Sequence, residues 1–158
     1  MSGVFNSGFM RIPKESNLMY SPSRDEARNF LFETWRKHCE GELLTPLEDL
    51  ASQLIGKHPE YHALLSDPEH YQNKEYAPEQ GVTNPFLHLM MHLTIEEQIS
   101  INQPNGIRAH FERLTHKFES EHEAQHAMME CLSEMIWQAQ RNHTAPDAEI
   151  YLTCLLQQ

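Results

Sequence analysis

Six of the 11 histidines in this 158-residue chain fall into three His-x-x-x-His pairs: His58/His62, His88/His92 and His122/His126. Composition alone would give roughly 0.7 pairs at that spacing. Residues four apart are neighbours on one helix face, about 5–6 Å apart at Cβ, so two imidazoles there can share one ion. Two of the pairs continue to a carboxylate in the same register, as His88, His92, Glu96 and as His122, His126, Glu130. Each step of four turns about 40° around the helix, so each trio forms a slowly winding stripe. Two facing helices of this kind would offer four nitrogens and two carboxylates, a donor set suited to iron, zinc, manganese or nickel.

The elements that would carry these residues are marked by helix starts. Ser23-Arg24-Asp25-Glu26, Thr45-Pro46-Leu47-Glu48 and Ser120-Glu121-His122-Glu123 fit capping boxes, with a weaker one at Thr144-Ala145-Pro146-Asp147. Asp67-Pro68 and Asn84-Pro85 place a cap before a proline, which the first helical position tolerates. Between these marks the apolar spacing predicts helices near 24–39, 46–56, 59–66, 85–102, 107–118, 121–141 and 146–156. Residues 72–83 are polar and read as a loop. No segment alternates with period two for long enough to be a strand. The expected fold is all-α: one helical domain over 19–158, a bundle of about six to seven helices, preceded by a flexible tail over 1–18.

The segment 85–102 is apolar nearly all round, the mark of a central helix, so His88 and His92 are expected to be buried and to need partners for their nitrogens. On 121–141 the main apolar stripe runs through Ala124, Met128, Cys131, Leu132 and Met135, with His122, His126 and Glu130 on the far side. That side is either packed on another element or a solvated acidic face. His58 falls at a cap position, which makes a face shared with His62 doubtful. Each pair also has a plain reading, as satisfied core or surface histidines. Glu97 is either an acceptor for an imidazole N–H or half of a buried pair.

The rest of the composition narrows the classes. With 23 acidic residues against 12 basic ones the net charge is -11, which argues against nucleic acid or an anionic membrane as partner. Counted with Gly and without Tyr the apolar share is about 40%, below the roughly 45–50% usual for globular domains. A core this thin calls for a bound ion or a partner chain, a homodimer being one form of the latter. Cys39, Cys131 and Cys154 are odd in number and widely spaced, which argues against a disulfide framework and for a reduced, cytoplasmic chain.

Several segments together, Tyr20-Ser21-Pro22-Ser23-Arg24, Leu44-Thr45-Pro46-Leu47-Glu48, His58-Pro59-Glu60-Tyr61-His62, Asn84-Pro85-Phe86-Leu87-His88, and Met129-Glu130-Cys131-Leu132 followed by Trp137-Gln138-Ala139-Gln140-Arg141, resemble the proteobacterial family catalogued as domain of unknown function eighteen forty-one. The resemblance covers roughly residues 19 to 156. It implies no activity and no catalytic residues. At motif level the chain is also similar to histidine-rich helical-bundle metal proteins such as the haemerythrin and DinB-like groups, although their ligand orders do not map onto it.

The expectation is therefore a bundle holding one or two transition-metal ions, iron or zinc. His88, His92, His122 and His126 would be the first ligands, Glu130 and Glu96 the carboxylates, and His62 and His58 further donors. Iron would bring dioxygen or peroxide chemistry or sensing; zinc with an open position would bring hydrolysis. A metal that only staples the thin core is a third form of the same site. The competing reading is a metal-free acidic adaptor that docks a basic partner and uses its histidines as polar packing or as a pH-responsive element.

Overall fold

A computed structural model describes residues 23–77 and 84–158. The tail expected over 1–18 and the end of the polar loop lie outside the described residues. Eight α-helices are present among those described: α1 (Arg24–Glu40), α2 (Pro46–Gly56), α3 (His62–Leu65), α4 (Pro68–Tyr71), α5 (Pro85–Ile101), α6 (Ile107–Phe118), α7 (Glu121–Asn142) and α8 (Ala148–Gln157), with a 3-10 turn at Pro59–Tyr61. No strand occurs among them, so the all-α expectation holds. None of these helices is long and apolar enough to cross a membrane.

The described residues fall into two compact units, 23–93 and 94–158, and the boundary lies inside the continuous helix α5. In the first unit, Ser23 and Thr45 close reciprocal capping boxes with Glu26 and Glu48, which fixes where α1 and α2 begin. Gly41 ends α1 at φ 72°, a left-handed conformation that glycine adopts without strain. The core joins Leu31, Phe32 and Trp35 of α1 to Ile55 and Leu65 and to Phe86 and Leu89 of α5. Arg28, only 2% exposed, closes this unit: its Nη1 donates to the carbonyls of Tyr71, Gln72 and Lys74 at 3.1, 2.9 and 2.9 Å.

In the second unit α6, α7 and α8 pack together around Ile107, Leu114, Met128, Leu132, Tyr151 and Leu155. The end of α5 joins them through two polar contacts. Tyr151 Oη donates to Gln98 Oε1 at 2.6 Å, and Gln125 Nε2 donates to Glu96 Oε2 at 2.7 Å. Helix α8 starts two residues later than expected because the cap is Asp147, whose carboxylate accepts from the Glu149 amide. A disulfide joins Cys131 of α7 to Cys154 of α8. It corrects the expectation of three reduced cysteines: 23 residues separate the two in sequence, but the α7–α8 hairpin brings their Cα atoms to 5.5 Å, the ordinary spacing for a bridge. Cys39 is free and exposed.

Candidate metal centre

Helix α5 begins where Asn84 can cap it: the Asn84 Oδ1 accepts from the amides of Phe86 and Leu87 at 3.0 and 3.2 Å. That start sets His88 and His92 one turn apart, with ring centroids 4.9 Å apart. His92 is fully buried and His88 half-buried, in keeping with the apolar surroundings of this helix.

His58 arrives from a different element. The chain leaves α2, and Pro59 opens the 3-10 turn, which makes His58 the cap residue. Its ring folds back so that Nδ1 lies 2.8 Å from the Leu54 carbonyl. A carbonyl only accepts, so Nδ1 carries the proton and Nε2 keeps its lone pair. This is the second hydrogen bond that fixes the tautomer of a metal-binding imidazole. The His58 Nε2 faces α5, where it lies 3.2 Å from His88 Nε2 and can accept a hydrogen bond from it. His58 is 2% exposed.

The three rings of His58, His88 and His92 form a nearly equilateral triangle, with centroids 5.0, 5.0 and 4.9 Å apart. Simple geometry shows what such a triangle fits. Three nitrogens about 2.0–2.1 Å from a tetrahedral ion are separated by about 3.3–3.4 Å, and their ring centroids by about 5 Å. Tyr61 stacks on His58 with an interplanar angle of 2° and meets His88 edge-on, giving the triangle an aromatic wall. Burial, and then the nearby Glu60 carboxylate, push the Tyr61 phenol above its ordinary pKa, so it stays neutral there.

The third pair sits at the start of α7. Ser120 Oγ accepts from the Glu123 amide at 3.1 Å and fixes the first turn. His122 and His126 follow with ring centroids 4.3 Å apart, both half-buried. Glu123 lies 3.8 Å from His126 Nδ1, beyond hydrogen-bond length but close enough for charge to act. His58, His92, His122 and His126 each offer a nitrogen, and these four atoms all lie within 4.8 Å of one another. The group could hold a metal ion.

Not every residue expected at the site is brought to it. His62 turns away from His58 because the 3-10 turn interrupts the helical register. Its Nε2 lies 2.8 Å from the Ile55 carbonyl, and its ring packs on Trp35 with centroids 4.4 Å apart. The Glu96 carboxylate accepts from the Gln125 amide. Glu130 is exposed, lines an open groove with Glu134 and Glu149, and is not a member of the four-nitrogen group. Glu97 is half-buried, and burial raises its carboxyl above the usual carboxylate range. Spacing four placed His88 with His92 and His122 with His126. It could not reveal the His58–His88 contact or the Tyr61 wall, which come from a turn that doubles the chain back on itself; the cue for that turn was Pro59 following His58.

Four imidazoles without a carboxylate form a borderline Lewis-base donor set, to which zinc, copper and nickel are all suited. No curated protein and no solved structure is significantly similar to this chain. The family defined as Domain of unknown function (DUF1841) matches residues 23–157, nearly the whole sequence, and the chain belongs to that family.

Proposed function

We propose that this protein binds one transition-metal ion on His58, His92, His122 and His126, with His88 beside them as a further imidazole. The observation that carries the reading is the mutual approach of the four nitrogens within 4.8 Å. The triangle of His58, His88 and His92 supports it, because the spacing of its rings fits a common ion and the Leu54 carbonyl leaves His58 Nε2 as a donor. Of the metals that suit imidazole, zinc is favoured over iron. Non-haem iron centres with open positions typically combine two histidines with a carboxylate, and the group contains none. Bound zinc would act as a Lewis acid and, with an open position, lower the pKa of a water bound to it. The chain's own contribution is a set of buried and half-buried imidazoles, with His58 held in one tautomer by the Leu54 carbonyl and Tyr61 stacked against it.

Elemental analysis of untagged protein from medium replete in zinc and iron tests the proposal. About one zinc per chain is expected, and His58→Ala and the His92→Ala/His126→Ala double variant should each lose it. His62→Ala should keep it, since the His62 Nε2 is committed to the Ile55 carbonyl. Metal well below one ion per chain in folded wild-type protein overturns the reading. So does full metal content in both ligand variants.

A further inference from the structure

The bridge between Cys131 and Cys154 has two unlike ends. Cys131 is fully buried on the inner face of α7. Cys154 is half-buried and lines the open groove that also contains Glu130, Glu134 and Glu149. The Gln158 side-chain amide lies over both sulfurs, 3.5 Å from Cys131 Sγ and 3.9 Å from Cys154 Sγ. From this we infer that Cys131–Cys154 is a thiol–disulfide exchange site entered through Cys154, and that its reductant is a neutral or cationic thiol.

The chemistry follows from which sulfur can be reached. A reductant thiolate entering the groove attacks Cys154 Sγ and forms a new S–S bond there. The Cys131–Cys154 bond breaks, and its electron pair leaves on Cys131. The Gln158 N–H, 3.5 Å away, can donate to that new thiolate before it takes a proton from water. A second thiol, from a dithiol reductant or from another molecule, then attacks the mixed disulfide. It releases Cys154 as a thiolate and leaves the reductant as a disulfide. Two electrons and two protons are gained by the protein, and the reductant loses them.

The groove also selects the reagent. Three glutamates line it, and none of its lining residues is basic. Arg113 and Lys117 of α6 donate to the Leu155 and Gln158 carbonyls at the end of α8, and neither side chain lines the groove. An anionic thiol is therefore repelled at low salt, and that repulsion is screened as salt rises.

The test uses the full-length Cys39→Ser protein, oxidised with a small disulfide, so that only the bridge can react. Limited reduction with 2-mercaptoethanol, quenching with acid and peptide mass mapping should place the mercaptoethanol adduct on Cys154 and a free thiol on Cys131. In parallel, reduction at low salt by cysteamine, a cationic thiol, should outrun reduction by the anionic mercaptopropionate by roughly tenfold at equal thiolate concentration, and the gap should close in high salt. An adduct on Cys131 overturns the inference, as does equal distribution between the two sulfurs. Failure of the oxidised protein to form the bridge overturns it too, as does reduction only under conditions that unfold the chain by circular dichroism. Equal rates for the two thiols at low salt reject the charge selection.

Discussion

Single side chains decide more in this molecule than their number suggests. Arg28 is a buried cation that makes no salt bridge to a carboxylate among the described residues. Burial, and next the neighbouring Arg24, lower the pKa of its guanidinium, yet three carbonyls and the faces of Phe86 and Tyr76 hold it in place. Truncation would strand the carbonyls of Tyr71, Gln72 and Lys74 in a poorly solvated corner. Arg28→Ala is expected to cost about 3 kcal/mol. Arg28→Lys should cost less, because an ammonium offers three donors but no flat face to lie on Phe86. Urea unfolding of the two variants checks the order; a lysine variant no better than alanine rejects the account. His58 and His62 make a second contrast. Both give one nitrogen to a backbone carbonyl 2.8 Å away, but only His58 is in the four-nitrogen group. Removal of either ring should lower stability of the metal-free protein, and only removal of the His58 ring should abolish the response to metal.

At the scale of elements, the caps do most of the placing. Thr45 and Glu48 close the start of α2, and Glu48 also meets Lys37 of α1 at 3.0 Å. Burial alone would raise the Glu48 carboxyl. The Thr45 backbone amide and the Lys37 ammonium outweigh it and hold the carboxyl below its ordinary range. A carboxyl whose pKa falls on folding stabilises the native state above its unfolded pKa and loses that contribution as pH falls through the folded one. Glu48→Gln should thus be less stable than wild type at neutral pH and converge on it below about pH 4. A gap that stays constant from neutral to acid pH would contradict this. Thr45→Ala should cost about 1 kcal/mol, read from the same unfolding curves. These caps are also why most of the fold was legible in the sequence: α1, α2, α5 and α7 begin at the residues that the capping boxes and Asn84-Pro85 marked. Spacing within one helix was equally legible, which is how two of the histidine pairs were found. Relations that depend on how the chain turns between helices were not. The stripe through His122 and His126 pointed on to Glu130, but the helix winds about 40° per step, and by Glu130 the face has reached solvent. The Cys131–Cys154 bridge was missed for the same reason: its closeness belongs to the α7–α8 hairpin, not to either segment.

Across the whole molecule, the disulfide and the proposed metal would both stand in for the apolar area that the composition lacks, and they can be separated. The disulfide closes a segment of 23 residues, which in the chain-entropy account stabilises the native state by about 3 kcal/mol. With the bridge present, the argument from reduced thiols for a reducing compartment no longer applies. The metal proposed for the imidazoles would act differently, by mass action: an ion that binds only the native state contributes about 2.7 kcal/mol at a hundred times its Kd. In a chain of this size that corresponds to a rise in Tm of about 5–10 °C. Zinc also binds thiolates, so a rise in wild-type protein could come from Cys39 or from a reduced bridge. The Cys39→Ser/Cys131→Ser/Cys154→Ser variant removes that route. It should melt at a lower temperature than oxidised wild type, yet keep the zinc-dependent rise and lose it on chelation. His58→Ala/His126→Ala with its cysteines intact should show the opposite: the higher stability that the bridge confers, and no response to zinc once oxidised. If the serine variant ignores zinc, the thiols were the ligands and the imidazole site falls. If both variants respond alike, the ion lies at neither place.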